Sequence, residues 1–168
     1  MISELLLVSG RSGVGKSSAA FALHDLLAAE GIKHAVIEGD ALGLAWPEPW
    51  EHRLAARNLA AVWANYRDLG YRRLIYTNTV AILEADEIAA AMGDQPHVTS
   101  VLLTASDGTV QSRLSRREDG ESLRTHIERS ATAAAILDER SSANVHRVST
   151  DDRTTSDVAA SLRSLWID

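Results

Sequence analysis

Residues 10–17 read Gly10-Arg11-Ser12-Gly13-Val14-Gly15-Lys16-Ser17, a G-x-x-x-x-G-K-[ST] octapeptide without departure. It follows the apolar run Leu5-Leu6-Leu7-Val8 and precedes a stretch with helical spacing. A buried strand, a Gly-rich turn and a helix is the setting in which this motif binds phosphate. Glycines let the loop curl so that successive backbone N–H groups point inward. The helix that follows adds its first N–H groups and the positive end of its dipole. In such a loop Lys16 reaches the β- and γ-phosphates and the Ser17 hydroxyl ligates Mg²⁺. The backbone of Gly10, Arg11, Ser12, Gly13, Val14, Gly15 and Ser18 completes the nucleotide-binding set. One of only two lysines in the chain stands at the required place.

The rest of the chain repeats the strand–helix alternation. Helix is expected over 16–30, with Phe21, Leu23, Leu26 and Leu27 near helical spacing and Gly31 as its cap. Further strands are expected at 35–37, 74–76, 98–104 and 145–148. Further helices are expected at 51–69, 84–92, 107–118, 121–140 and 154–166. Leu59, Val62, Trp63 and Tyr66 follow the i, i+3, i+4, i+7 pattern of one helix face. This order predicts an α/β fold, a parallel sheet with helices on both faces, in which ligands sit beyond the carboxyl ends of the strands. With 168 residues and 45% hydrophobic residues, one domain over 1–168 and a core without staples are expected.

Composition excludes several classes. There is no cysteine, hence no disulfide, thiolate metal site or thiol catalysis. Net charge is −6, against a duplex-DNA binder or a polyanionic-membrane binder, so neither nucleic acid nor membrane is an expected partner. No apolar run approaches a membrane span, and Met1-Ile2-Ser3-Glu4 opens no signal peptide; a soluble cytoplasmic chain is expected. The six histidines lack metal-ligand spacing, and there is no G-x-S-x-G. Monomer and homodimer both remain open.

Glu38-Gly39-Asp40 follows the second strand. One carboxylate could hold Mg²⁺, directly or through water, and the other could take the proton of an attacking hydroxyl. An acidic solvated turn is the plain alternative. With the phosphate loop, this pair resembles the small-molecule P-loop kinases: gluconate, shikimate and adenylylsulfate kinases and chloramphenicol phosphotransferase. Gluconate and adenylylsulfate kinases carry a similar Gly-Asp, and shikimate kinase a similarly placed Asp-x-Asp. The resemblance implies a P-loop NTPase αβα sandwich with a five-stranded parallel sheet in the order 2-3-1-4-5 and a lid near 106–125. It implies ATP and Mg²⁺, transfer of the γ-phosphate to a hydroxyl of a small acceptor, Glu38 beside the metal, and Asp40 as substrate-binding residue or base.

The same resemblance extends further along the chain. Arg113-Leu114-Ser115-Arg116-Arg117 looks like the R-L-x-x-R of the lid in these kinases. It implies that Arg113 lies near the nucleotide and Arg117, with Arg116 as a further candidate, at the transferred phosphate. Guanidinium groups there neutralise charge on the phosphoryl in flight; an exposed basic helix face is the alternative, and Arg124 and Arg129 are expected in solvent. The loop from Ser149 to Arg153, with Thr150, takes the place that holds adenine, and Arg153 could stack on it.

The acceptor is expected between the 40–70 segment and the end of the third strand, with Trp46, Trp50, His52, Arg53, Arg57, Asn78 and Thr79 as candidates. Trp46 and Trp50 suit an apolar or ring-shaped acceptor, or packing. Arg53 and Arg57, one helical turn apart, suit an anionic acceptor or a solvated face. The third strand ends in Asn78 without the Asp of a full Walker B, and no N-K-x-D appears, which disfavours a motor-type ATPase and GTP specificity. An ATP-binding switch or slow ATPase acting through a protein partner is the main rival, and a kinase of a macromolecular precursor the lesser one.

Overall fold

The computed structural model describes residues 2–167, with the backbone alone at Trp50. Five strands form one parallel sheet in the order β2-β3-β1-β4-β5. They are β1 (Glu4–Ser9), β2 (Ala35–Glu38), β3 (Arg73–Thr77), β4 (His97–Thr104) and β5 (His146–Ser149). The helices are α1 (Lys16–Ala29), α2 (Leu54–Asp68), α3 (Ala85–Met92), α4 (Asp107–Leu114), α5 (Gly120–Arg140) and α6 (Thr155–Trp166).

The run Leu5–Val8 is apolar throughout because β1 is the central strand, covered on both faces. Leu6 and Val8 pack with Leu23 and Leu27 of α1 and Val158 and Leu162 of α6. Leu5 and Leu7 point the other way, to Leu59 and Trp63 of α2, Ile88 of α3 and Leu137 of α5. All four of these β1 side chains are fully buried. The helix face expected in α2 is the buried one. In α1 the face differs: Leu23 and Leu27 are inside, whereas Phe21 is 51% exposed. Two residues before Leu23, Phe21 is rotated roughly 200° from it around the helix and belongs to the opposite side.

Two expected helices are shorter. Residues 50–52 form a separate 3₁₀ turn, and Arg53, at φ +48°, breaks it from α2. Helix α4 ends at Leu114, capped by Ser115, and Asp119 then starts α5. The start of α6 is fixed by a capping box: the Thr154 hydroxyl accepts from the Asp157 N–H, and the Asp157 carboxylate accepts from the Thr154 N–H. Every strand of the sheet runs toward the same edge, where the loops after β1, β2, β3 and β5 meet.

Candidate active site

The loop after β1 enters α1 through Gly15, which stands at the N-cap with φ +100°. A side chain there would be strained, so glycine is what allows the tight entry. Among the described residues no acceptor takes the N–H of Gly13 or Gly15, and the first-turn N–H groups of α1 lack intrahelical partners by geometry. Here is a concave set of unpaired donors at a helix N-terminus, suited to an anion. The Lys16 ammonium lies over the loop, 2.8 Å from the Gly10 carbonyl and 3.3 Å from that of Arg11. Burial pushes its pKa down, and the charges of Asp40 and Glu38 oppose that shift.

Ser17, on the first turn of α1, donates to the Glu38 carboxylate at the end of β2. A hydroxyl and a carboxylate converging on one point fit a hard divalent cation that takes its remaining ligands from phosphate and water. Among the described residues no group of three or more acidic or histidine side chains forms a metal site without such help.

Around these donors is a cavity of about 320 Å³, lined by the loop, Ser18, Arg113, Arg117, Thr150 and Arg153, and by Asp40. Arg113, near the end of α4, donates to the Val14 carbonyl (3.0 Å) and to the Thr150 hydroxyl (3.0 Å) and carbonyl (3.1 Å). Thr150 is buried, and its hydroxyl donates to Val14 as well, at 3.0 Å. Arg113 and Thr150 therefore tie the phosphate loop to the segment after β5. Arg153 donates to the Asp157 carbonyl and the Ser161 hydroxyl, which seats it against α6. Arg117 reaches the same cavity while exposed; Arg116 is exposed and does not line it, and Arg124 and Arg129 are in solvent.

The side chain of Arg11 is not in that lining. It is 6% exposed, donates to the Ser130 hydroxyl at 2.9 Å, and pairs with Asp107. Ser130 in turn donates to the Ser12 carbonyl at 2.8 Å. The Ser12 hydroxyl meets His126 Nε2 at 2.7 Å, and His126 Nδ1 meets Glu118 at 3.0 Å. Thus α4 and α5 grip the loop from outside. Sequence reasoning missed Ser130, His126 and Glu118 as loop supports. They lie more than 100 residues beyond the loop, in no motif.

Asp40 follows the buried Gly39, where a Cβ would overlap the Tyr76 ring and hydroxyl. Glycine lets the chain pass over Tyr76 and sets Asp40 beside the loop. Asn78, beyond the end of β3, donates to Asp40 Oδ1 at 2.9 Å and accepts from the Val80 N–H. Asn78 thereby holds one carboxylate oxygen, and among the described residues no side chain donates to Oδ2.

Beyond Asp40 opens a second cavity of about 540 Å³, between the segment after β2, α2 and the start of α3. Arg53 and Asn78 line it, whereas Arg57, His52, Thr79 and the 91%-exposed Trp46 do not. Arg53 precedes α2 in a left-handed conformation, so it does not share a helix face with Arg57. The side chain of Trp50 lies outside the described residues. Among the described residues, Asp40 alone lines both cavities.

No protein-family model and no curated protein matches the chain. Solved structures do. The chain is similar to the tunicamycin resistance protein of Deinococcus radiodurans: TM-score 0.65, 20% identity, 96% of this chain and 94% of that one covered. It is similar to the APS kinase of Mycobacterium tuberculosis in complex with AMPPNP and APS, with TM-score 0.60, 19% identity, and 98% and 97% covered. It is also similar to the shikimate kinase of Acinetobacter baumannii in complex with shikimate, with TM-score 0.57, 18% identity, and 98% and 93% covered. These likenesses establish the fold: the five-stranded parallel sheet, in its 2-3-1-4-5 order with helices on both sides, is that of the small-molecule P-loop kinases.

Proposed function

We propose that the chain is a Mg²⁺-dependent kinase that transfers the γ-phosphate of ATP to a hydroxyl of a small molecule. The observation that carries this reading is the position of Asp40 between a phosphate-loop cavity and a separate acceptor-sized cavity. A switch or simple ATPase needs the first cavity and has no use for an acid shared with the second.

In this reading the loop N–H groups and Lys16 hold the β- and γ-phosphates, and Ser17 with Glu38 holds the metal. When bound, the metal neutralises phosphate charge. Arg113, Thr150 and Arg153 form the nucleotide wall, and Arg117 reaches the γ-phosphate as 106–125 closes. The acceptor hydroxyl lies at Asp40 Oδ2. Its oxygen forms a bond to the γ-phosphorus, the bond from that phosphorus to the β,γ-bridging oxygen breaks, ADP leaves, and the hydroxyl proton passes to Asp40. Positioning and charge neutralisation supply most of the acceleration in such a transfer.

The test is phosphate transfer from Mg-ATP to a pooled panel of hydroxylated metabolites and antibiotics, read by mass as a phosphate gained. A product should appear with wild type, and Asp40→Asn should lower its rate by roughly 10²- to 10⁴-fold, with ATP binding retained by thermal shift. ATP binding without product, and equal slow hydrolysis by both proteins, would instead favour a nucleotide switch.

A further inference from the structure

The acceptor cavity has a charge of its own. Among the described residues that line it, Asp40, Glu48, Glu84 and Glu87 are acids, and Arg53 is the one cation. Arg53 is engaged: its Nη2 and Nε both donate to one oxygen of Glu87, at 2.6 and 3.0 Å. Lys16 is turned back on its own loop, and Arg57 lies outside the lining. Nothing in the described lining offsets Glu48 or Glu84.

The acids at the start of α3 have a plain structural use, since carboxylates favour a helix N-terminus. That accounts for Asp86 and Glu87 in the first turn. It does not account for Glu84. This residue occupies the N-cap, yet its side chain makes no capping bond and lines the cavity instead. Its carboxyl faces solvent, and partial desolvation with the neighbouring Glu87 charge raises its pKa above the ordinary carboxylate value. Apart from Asn78 and Tyr76, the rest of the wall is apolar, from Leu54, Ala55, Leu59 and Ile88, with the 86%-exposed Leu44 also in the lining.

An anionic acceptor would enter this field against unpaired carboxylates, and would have to draw Arg53 from Glu87 to find a cation. A cationic one meets the opposite situation. Resting on the kinase reading above, we infer that the acceptor is a hydroxylated amine with an apolar portion. Its ammonium group faces Glu84 and Glu87, its apolar part lies against α2, and its hydroxyl reaches Asp40. A carboxylate- or sulfate-bearing acceptor is disfavoured.

The experiment compares acceptors that differ in one group, 1-amino-1-deoxyglucitol, glucitol and gluconate. Beside them run pooled hydroxylated amines, neutral alcohols and hydroxy acids with apolar substituents, each scored for phosphate gained from Mg-ATP. Amines should be preferred over their neutral analogues by about tenfold or more in kcat/KM, and over the acids by more. E84Q and E84Q/E87Q should each erode that preference, chiefly through KM, by about fivefold per charge removed. An ATP-induced thermal shift like that of wild type, read on the loop side that neither residue lines, reports that they fold. Transfer to hydroxy acids as fast as to amines overturns the inference and leaves the kinase standing, as does an amine preference that survives E84Q/E87Q. A panel in which nothing gains phosphate overturns both.

Discussion

On the loop side of Asp40, ligand contacts are offered mainly by backbone, and side chains from distant elements brace that backbone. Arg113, Thr150, Ser130 and His126 bond to the loop, and the loop's own Arg11 reaches out to Ser130. On the acceptor side the ligand contacts are side chains, and they are braced by little. Arg53 pairs with Glu87 in solvent, Leu44 and Trp46 are exposed, and among the described residues Asn78 alone of the polar side chains holds Asp40. A phosphate group is the same in every nucleotide, so one rigid backbone cradle suffices. Acceptors differ, so that wall is written in replaceable side chains on less constrained segments.

The largest expected effect breaks the loop side chemically. Lys16→Ala should reduce phosphate transfer by on the order of 10²- to 10³-fold, as removal of a preorganised charge at a transferring group does. Steady-state transfer measures it, and Tm should change little by comparison. A Lys16→Ala protein with wild-type transfer would remove the loop from the mechanism.

Breaking the brace comes next. Arg113→Met removes hydrogen bonds from a charged donor to Val14 and Thr150 and should cost about 2 kcal/mol. In a chain of this length that lowers Tm by roughly 4–8 °C, and thermal unfolding reads it. ATP affinity should fall with it, because the loop and the segment after β5 lose their tie. An unchanged Tm would mean that Thr150 ties the loop to the segment after β5 without help from Arg113.

This contrast also explains what could be read from the sequence. Backbone chemistry has a local signature: strand, Gly10–Ser17 and helix occupy adjacent positions, and the edge of a parallel sheet fixes where Asp40 emerges. The burial of β1 was accessible for the same reason. The sheet order, and the expectation that Arg113, Thr150 and Arg153 lie near the nucleotide, rested instead on the resemblance to the small-molecule P-loop kinases. The direction of the Arg11 side chain was not accessible, because its partners Ser130 and Asp107 are distant in sequence. Nor was the acidity of the acceptor cavity. Glu84 and Glu87 belong to the start of a short helix, and only the packing of α3 on α2 brings them opposite Arg53. The tryptophans drew attention to a loop whose Trp46 faces solvent, away from the lining.

A third expectation probes the joint between the two sides. Burial raises the Tyr76 pKa from 10 to about 12, with help from the charges of Glu84, Asp40 and Glu87. The folded state therefore keeps a proton that the unfolded chain loses first. Stability from this group is complete below about pH 10 and declines as pH rises toward about 12. Tm measured across that range should fall more steeply in wild type than in Tyr76→Phe. Parallel curves would show that Tyr76 ionises as readily folded as unfolded.

The smallest effect is the sharpest test of the asymmetry. Arg53 makes a well-aligned pair with Glu87, and by geometry alone it looks as firm as Arg113. Its side chain is 70% exposed and that of Glu87 47%, so water screens the attraction and both side chains lose rotamer freedom to hold it. Arg53→Ala should therefore change stability by less than about 1 kcal/mol, within about 4 °C in Tm. Residue 53 is also left-handed, at φ +48°, where alanine is no better suited than arginine, so no backbone gain should mask the loss. If Arg53→Ala instead lowered Tm as much as Arg113→Met, the acceptor wall would be as rigidly braced as the loop. The two sides of Asp40 would then differ in chemistry and not in construction.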